Sequence, residues 1–242
     1  MRSAPDWAAR HLRFWEAVDK ARHEPDLAQA SAADRMVVVL SRQAGARGEE
    51  IAHGVAEELR YRLLDREIVD YLANTAQVRR RLVETLDERT RSSVEDWVTT
   101  LLSAQSFDQT AYLRHLATVL ASIAAHGRAI VVGRGAVHLL TSPFVYRVRV
   151  IAPLGQRIEN IARERDLPLH EARRWVVHTD RQRESFIRRH FQRDPRDPLL
   201  YDLTVNTAGV GPTEGIAAVC AGVRARIHLL DAARQAPRHA GR

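Results

Sequence analysis

Between the apolar run Met36–Leu40 and a helical pattern that begins near Glu49 lies the loop Ser41-Arg42-Gln43-Ala44-Gly45-Ala46-Arg47-Gly48. A strand, a glycine-bearing turn and a helix N-terminus in that order make an anion site. Backbone N–H groups point outward, the helix dipole favours negative charge, and glycines let the backbone approach oxygen atoms closely. Phosphate is the anion such a loop suits; an ordinary strand-to-helix turn is the plainer alternative. Two other segments could meet it. Gly133-Arg134-Gly135 follows a second apolar run, and its arginine could fork a phosphate across a cleft or lie in a surface turn. The run Thr179–His190 offers Arg181, Arg183 and Arg188. These could clamp a transferring phosphoryl group, or form a solvated helix face paired with Asp180 and Glu184.

Lys20 is the only lysine among the 37 basic residues, so no lysine can serve a site beyond it. The phosphate-loop pattern G-x-x-x-x-G-K-[ST] is therefore absent, with Glu49 and Glu50 standing where a lysine and a hydroxyl would be expected. The 11 histidines show no paired metal-ligand spacing, and with Cys220 they give no triad logic, so no metal cage is expected. The net charge is +7, but aromatic residues make up only 6% and do not interleave with the basic ones, so nucleic acid is not an expected partner. One cysteine cannot make an internal disulfide and fits a reducing compartment. The N-terminus lacks an apolar signal core, and no run approaches the ~20 apolar residues of a membrane span. These features point to a cytoplasmic protein without a membrane partner.

The elements that would hold these residues follow from hydrophobic periodicity. Residues 1–34 read as a helical extension (Trp7, Leu12, Trp15 and Val18 at helical spacing) and a polar linker. Met36–Leu40 reads as a buried parallel strand, Glu49–Arg60 as a helix, and Tyr61–Leu64 as a short strand, with Asp65 capping the next helix. Residues 77–126 read as a helical insertion broken at Ser92-Ser93 and closed by Gly127. Arg128–Val132 and Val145–Ile151 read as strands, and Pro153 starts a helix. The stretch Ala162–Phe191 is helical with a restart at Pro168; Tyr201–Asn206 is a fifth strand, Thr213–Leu230 the last helix, and 233–242 a flexible tail. Strands alternate with helices, which predicts an α/β fold: a five-stranded parallel sheet with helices on both faces. Ligands in such sheets bind beyond the carboxyl ends of the strands, where the Ser41–Gly48 loop, Asp65-Arg66 and Gly133–Gly135 all fall.

In order along the chain, Val37–Ala52, Leu64–Ile68, Ala129–Ala136 and Tyr201–Thr207 resemble the cytidylate kinase-like family, a divergent branch of the P-loop nucleoside monophosphate kinases. The likeness spans roughly residues 36–230, within a domain expected at 35–232. It implies a three-layer P-loop kinase-like fold and transfer of the ATP γ-phosphoryl group to a nucleoside monophosphate such as CMP, with Mg2+. By position it implies that Ser41, Arg42, Gly45, Ala46, Arg47, Gly48 and Glu49 hold the donor phosphates. It also implies that Asp65, Arg66 and Arg134 meet the acceptor, and that Arg181 and Arg183 are lid arginines acting with Arg134 in catalysis. Asp202 falls at the strand before the last helix. Cytidylate kinases carry a loop lysine followed by a hydroxyl, where this chain reads Gly48-Glu49-Glu50, and an aspartate where it has Gly135. Arg42 or Arg47 could restore the missing charge, and Asp65 or Glu49 could contribute to magnesium.

Two other readings compete with a nucleotide-dependent kinase. One is a weakly active or inactive nucleotide sensor on the same fold; the other is a basic protein associated with nucleic acid. The missing lysine favours the sensor, and the arginine lid favours the enzyme. A homo-oligomer through the helical insertion is compatible with the sequence.

Overall fold

The computed structural model describes residues 30–103 and 110–235. The expected helix through Trp7–Val18 and the end of the tail lie outside the described residues. Five strands form one sheet: β1 (Val37–Arg42), β2 (Arg62–Leu64), β3 (Ala129–Val132), β4 (Val145–Ile151) and β5 (Leu203–Asn206). All pairings are parallel, in the order β2-β3-β1-β4-β5. This is the sheet expected from the sequence. The helices are α1 (Ala32–Arg35), α2 (Gly48–Leu59), α3 (Arg66–Asn74), α4 (Ala76–Glu84) and α5 (Glu88–Ser103). They continue as α6 (Ala111–His126), α7 (Ala136–Leu139), α8 (Leu154–Arg165), α9 (Leu169–Phe191) and α10 (Pro212–Gln235).

The central strand explains why its sequence has no alternating pattern. Val37 and Val39 pack on one face with Ile68, Leu72, Leu116 and Leu120 of α3 and α6. Val38 and Leu40 pack on the other face with Ile51 and Val55 of α2 and Val219 and Val223 of α10. Both faces are covered over Val37–Leu40, so those four positions are all apolar, and each such side chain contributes about 1.5–3 kcal/mol on burial. Cys220 lies in the second of these clusters as a core residue.

Several boundaries differ from the sequence reading. The break in the helical insertion falls at 85–87, not at Ser92-Ser93. Asp87 accepts the Thr90 N–H at 2.9 Å and so starts α5, while Ser93 Oγ donates to the Arg89 carbonyl at 3.0 Å and stays inside the helix. The linker ends in a helical turn, α1, because Ser31 Oγ accepts the Asp34 N–H at 3.2 Å. The fifth strand begins at Leu203, and the last helix runs to Gln235. Asp65 caps α3 as expected, accepting the Ile68 N–H at 3.0 Å. Gly127 closes α6 with φ +63°, where a Cβ would strike the Asp34 carbonyl.

Candidate functional site

The loop leaves the carboxyl end of β1 and turns at Gly45, φ +75°. A Cβ there would collide with the Arg157 carbonyl, so only glycine lets the loop lie against α8. The α8–α9 hairpin grips the outer half of the loop. Asn160 Nδ2 donates to the Gly45 carbonyl at 2.9 Å, and Arg157 Nη1 to the Ala44 carbonyl at 3.2 Å. The Asp180 carboxylate accepts the Ala44 N–H at 2.8 Å and pairs with the Arg157 guanidinium. Ala44 is buried among Ile158, Ile161, Ala172 and Val176. From the sheet side, Gln43 Oε1 accepts the Ala152 N–H at 3.1 Å, and Thr207 Oγ1 donates to the Ala46 carbonyl at 3.2 Å. The first helical bond of α2 runs from the Ile51 N–H to the Arg47 carbonyl at 3.2 Å. The amides of Gly48, Glu49 and Glu50 therefore sit in the first turn, where a helix has no backbone acceptor of its own to offer.

Two arginines were candidates to replace the missing lysine, and the structure separates them. Arg47 has φ 57° and points outward, where its Nε donates to Glu50 at 2.8 Å. Arg42 turns inward with a side chain only 9% exposed, and its Nη2 donates to Glu49 Oε1 at 3.0 Å. Its stem runs across Gly48, where an added Cβ would lie 2.5 Å from the Arg42 Cβ. Its guanidinium reaches Gly133, where an added Cβ would lie 2.8 Å from Nη1. Two bare glycines thus make the channel that Arg42 occupies. The cation enters from the strand end rather than from the helix start.

Beside the loop lies a cleft of about 270 Å³ over the carboxyl ends of β1, β3 and β4, roofed by α9. Arg42, Arg66, Arg134, Arg149 and Arg183 all line it. Arg183 reaches it because Asp180, Arg183 and Ile187 share one face of α9; its Nη1 donates to the Arg42 carbonyl at 3.1 Å. Arg134 is held by Asp70 and lies over the Phe186 ring at 5.1 Å from its centroid. Asp70 in turn accepts the Tyr112 hydroxyl at 2.9 Å, and Arg66 Nε lies 3.9 Å from it. The Nε atoms of Arg42, Arg134 and Arg183 are buried without a hydrogen-bond partner among the described residues.

Crowded cations shape the local charge states. Burial pulls the Arg183 guanidinium down to about 10, and the Arg42 charge adds to the effect; it remains protonated at neutral pH. Lost hydration raises the Glu49 carboxyl, but the Arg42 hydrogen bond and charge outweigh that and hold it below the usual range. Burial beside the cleft pulls the His138 imidazole down to about 4, helped by the Arg193 charge.

Of the remaining expected site residues, only Ser41 lines the cleft. Arg181 is exposed and shares a shallow concavity with Arg173, Arg174 and His178, on a different face of α9 from Arg183. Asp65 is exposed and spends a carboxylate oxygen on its cap. Asp202 binds Arg147 and Arg226 away from the cleft. Ser41 lines the cleft, while Ala46 and Gly48 are buried in the loop. Sequence reasoning did not single out Arg149, Arg157, Asp70 or Tyr201. For Arg149 a signal existed: a charged residue within a strand of a sheet covered on both faces.

The guanidinium groups that line the cleft fit phosphate oxygens, which can accept several hydrogen bonds at once. No group of three His, Cys, Asp or Glu side chains able to hold a metal occurs among the described residues. Magnesium does not need such a cage, because it takes much of its shell from phosphate oxygens and water. Glu49 is a carboxylate at the end of the loop, exposed and paired with Arg42.

A sequence model of the cytidylate kinase-like family matches residues 37–209. The chain belongs to that family. No curated protein matches it. Among solved structures, an uncharacterized protein from Eubacterium ventriosum superposes with a TM-score of 0.61 at 13% identity, covering 79% of this chain and 99% of that one. This likeness shows the fold. A shikimate kinase from Bacteroides thetaiotaomicron aligns at TM-score 0.39 and 12% identity, over 81% of this chain and 98% of its own. A shikimate kinase from Acinetobacter baumannii, in complex with shikimate, aligns at TM-score 0.37 and 13% identity, over 84% and 98%. No described helix is long and apolar enough to cross a membrane.

Proposed function

We propose that this member of the cytidylate kinase-like family binds ATP at the Ser41–Glu49 loop and transfers its γ-phosphoryl group to a nucleoside monophosphate such as CMP. The observation that carries the reading is the convergence of five arginines on one cleft beside a loop that ends in a helix N-terminus. Phosphoryl transfer asks the protein mainly for positioning and for stabilisation of charge on the equatorial oxygens. Arg42 supplies the loop cation that other phosphate loops take from lysine. Arg183 reaches the same point from α9, and Arg134, steadied by Asp70, addresses the acceptor with Arg66 beside it. Magnesium, when bound, neutralises charge on the donor phosphates. Residues 35–232 form the kinase-like domain in this account, and 77–126 is its helical insertion.

The test is an ADP-release assay over a panel of nucleoside monophosphates, with ATP and magnesium. The account expects turnover with one or more of them and its loss in Arg134→Ala. ATP binding without turnover on any acceptor would favour the sensor reading instead. That reading has two observations of its own: Asp180 already occupies the Ala44 amide, and Glu49 places a carboxylate at the loop.

A further inference from the structure

On β4, Arg147 and Arg149 point to the same side of the strand, two residues apart, and differ in one respect. Arg147 has a carboxylate partner: Asp202 accepts its backbone N–H at 2.8 Å and its guanidinium at 3.3 Å. Arg149 has none among the described residues, although it is only 8% exposed. Its Nη1 donates to the Tyr201 hydroxyl at 3.0 Å and to Ser41 Oγ at 3.4 Å, and its guanidinium carbon lies 5.3 Å from the Tyr201 ring centroid. Its Nε and Nη2 have no protein acceptor among the described residues and keep some solvent access. Arg149 lines the cleft.

The carboxylates that line that cleft, Asp180 and Glu184, are already committed. Asp180 holds Arg157 and the Ala44 amide, and Glu184 lies 3.8 Å from Arg188 and 4.0 Å from Arg196. A buried cation without a counter-ion carries a large desolvation cost unless something of opposite charge arrives. The surroundings also suggest what arrives. The Tyr201 hydroxyl donates to the Pro195 carbonyl at 2.7 Å, which fixes its proton there and leaves its oxygen to accept from Arg149. Ser41 Oγ accepts from Arg149 and lies 3.5 Å from the Tyr201 hydroxyl, at the edge of the cleft that Ser41 lines. A guanidinium edge and a hydroxyl on one wall, with Arg42 and Arg183 opening onto the same volume, match a group with several acceptor oxygens.

We propose that Arg149 and Ser41 form an anion subsite on the cleft floor for a phosphate monoester group of the acceptor. Arg149 binds the phosphate oxygens, and Tyr201 positions Arg149 from beneath. The assignment rests on the cleft being the acceptor side of the proposed transfer reaction, but it makes a prediction that needs no turnover.

The experiment is calorimetric titration of the full chain with inorganic phosphate, and separately with acetate at matched ionic strength, for the native protein, Arg149→Met and Arg149→Lys. Loss of a charge-assisted pair predicts phosphate binding about 10- to 100-fold weaker in Arg149→Met. Arg149→Lys, which keeps the charge but loses the fork, should fall between the two. Acetate should bind the native protein more weakly than phosphate. No phosphate binding by the native protein, equal affinity in both variants, or acetate binding as tightly as phosphate would each overturn the assignment. If Arg149→Met does not fold, an unchanged affinity in Arg149→Lys overturns it alone. Absent ADP release with Arg149-dependent phosphate binding would remove the kinase reading and leave this subsite standing. Normal ADP release with Arg149-independent phosphate binding would do the reverse.

Discussion

Arg157 and Arg149 are buried alike, at 7% and 8% exposure, and they serve opposite ends. Arg157 has its carboxylate in place: it pairs with Asp180 and donates to the Ala152 carbonyl at 3.0 Å and the Ala44 carbonyl at 3.2 Å. It fastens the phosphate loop to α8 and α9 and does not line the cleft. Arg149 meets only hydroxyls and an aromatic ring and keeps donors facing an open cleft. The comparison teaches that burial alone does not mark a working arginine. The partner set does: a buried charge with its carboxylate in place builds structure, and one without it awaits an anion.

The largest expected effect tests the paired side. Arg157→Met strands the Asp180 carboxylate and two buried carbonyls, and should cost about 3–5 kcal/mol in urea unfolding. A loss within about 1 kcal/mol would mean that the loop does not depend on this clamp. Next comes His138, another cleft-lining group without a carboxylate, whose buried Nε2 has no partner. Its pKa falls from 6.5 to about 4 on folding. The unfolded chain therefore binds the proton more readily, and stability present above pH 6.5 is lost as pH falls toward 4. The contribution is of the order of 2–3 kcal/mol after allowing for partial exposure. His138→Phe should flatten the stability curve over that window, and a curve of unchanged slope would remove His138 as the cause.

Smaller effects sharpen the functional side. Gly48→Ala places a Cβ 2.5 Å from the Arg42 Cβ, so the Arg42 stem must shift. About 1–3 kcal/mol of overpacking cost is expected, together with weaker ATP binding by calorimetry. Unchanged ATP affinity would show that the channel between Gly48 and Gly133 does not place the loop cation. The smallest stability effect belongs to Arg149→Met. With no ion pair to break, it should change unfolding free energy by less than about 1 kcal/mol, in contrast to Arg157→Met. A loss as large as that of Arg157→Met would erase the distinction between the two arginines.

How much of this was legible in the sequence depends on the range of the interaction. Local signals carried far. The unpatterned apolar run of β1, the glycine at position 45, the Asp65 cap and the Gly127 stop each encode backbone geometry within a few residues, and the structure has all four. The insertion break was misplaced because Ser92-Ser93 looks like a breaker in isolation, whereas Ser93 satisfies its hydroxyl on the preceding turn. The site was legible in outline, since the loop, Arg134 and Arg183 do line or border one cleft. Its wiring was not. Asp180 meets Arg157 across the hairpin, and Arg149 meets Tyr201 across 52 positions, so no local pattern announces either contact. Arg181 and Arg183 differ only in helix phase, and phase against the cleft is fixed by packing rather than by neighbouring residues.

The most direct test of the central claim, that this cleft holds a nucleotide through Arg42 in place of a lysine, is calorimetric titration of ATP with magnesium into the native protein and into Arg42→Met. The account predicts saturable binding to the native protein and at least a tenfold loss in the variant, about 1.4 kcal/mol. No binding to the native protein, or equal binding to both, would contradict it.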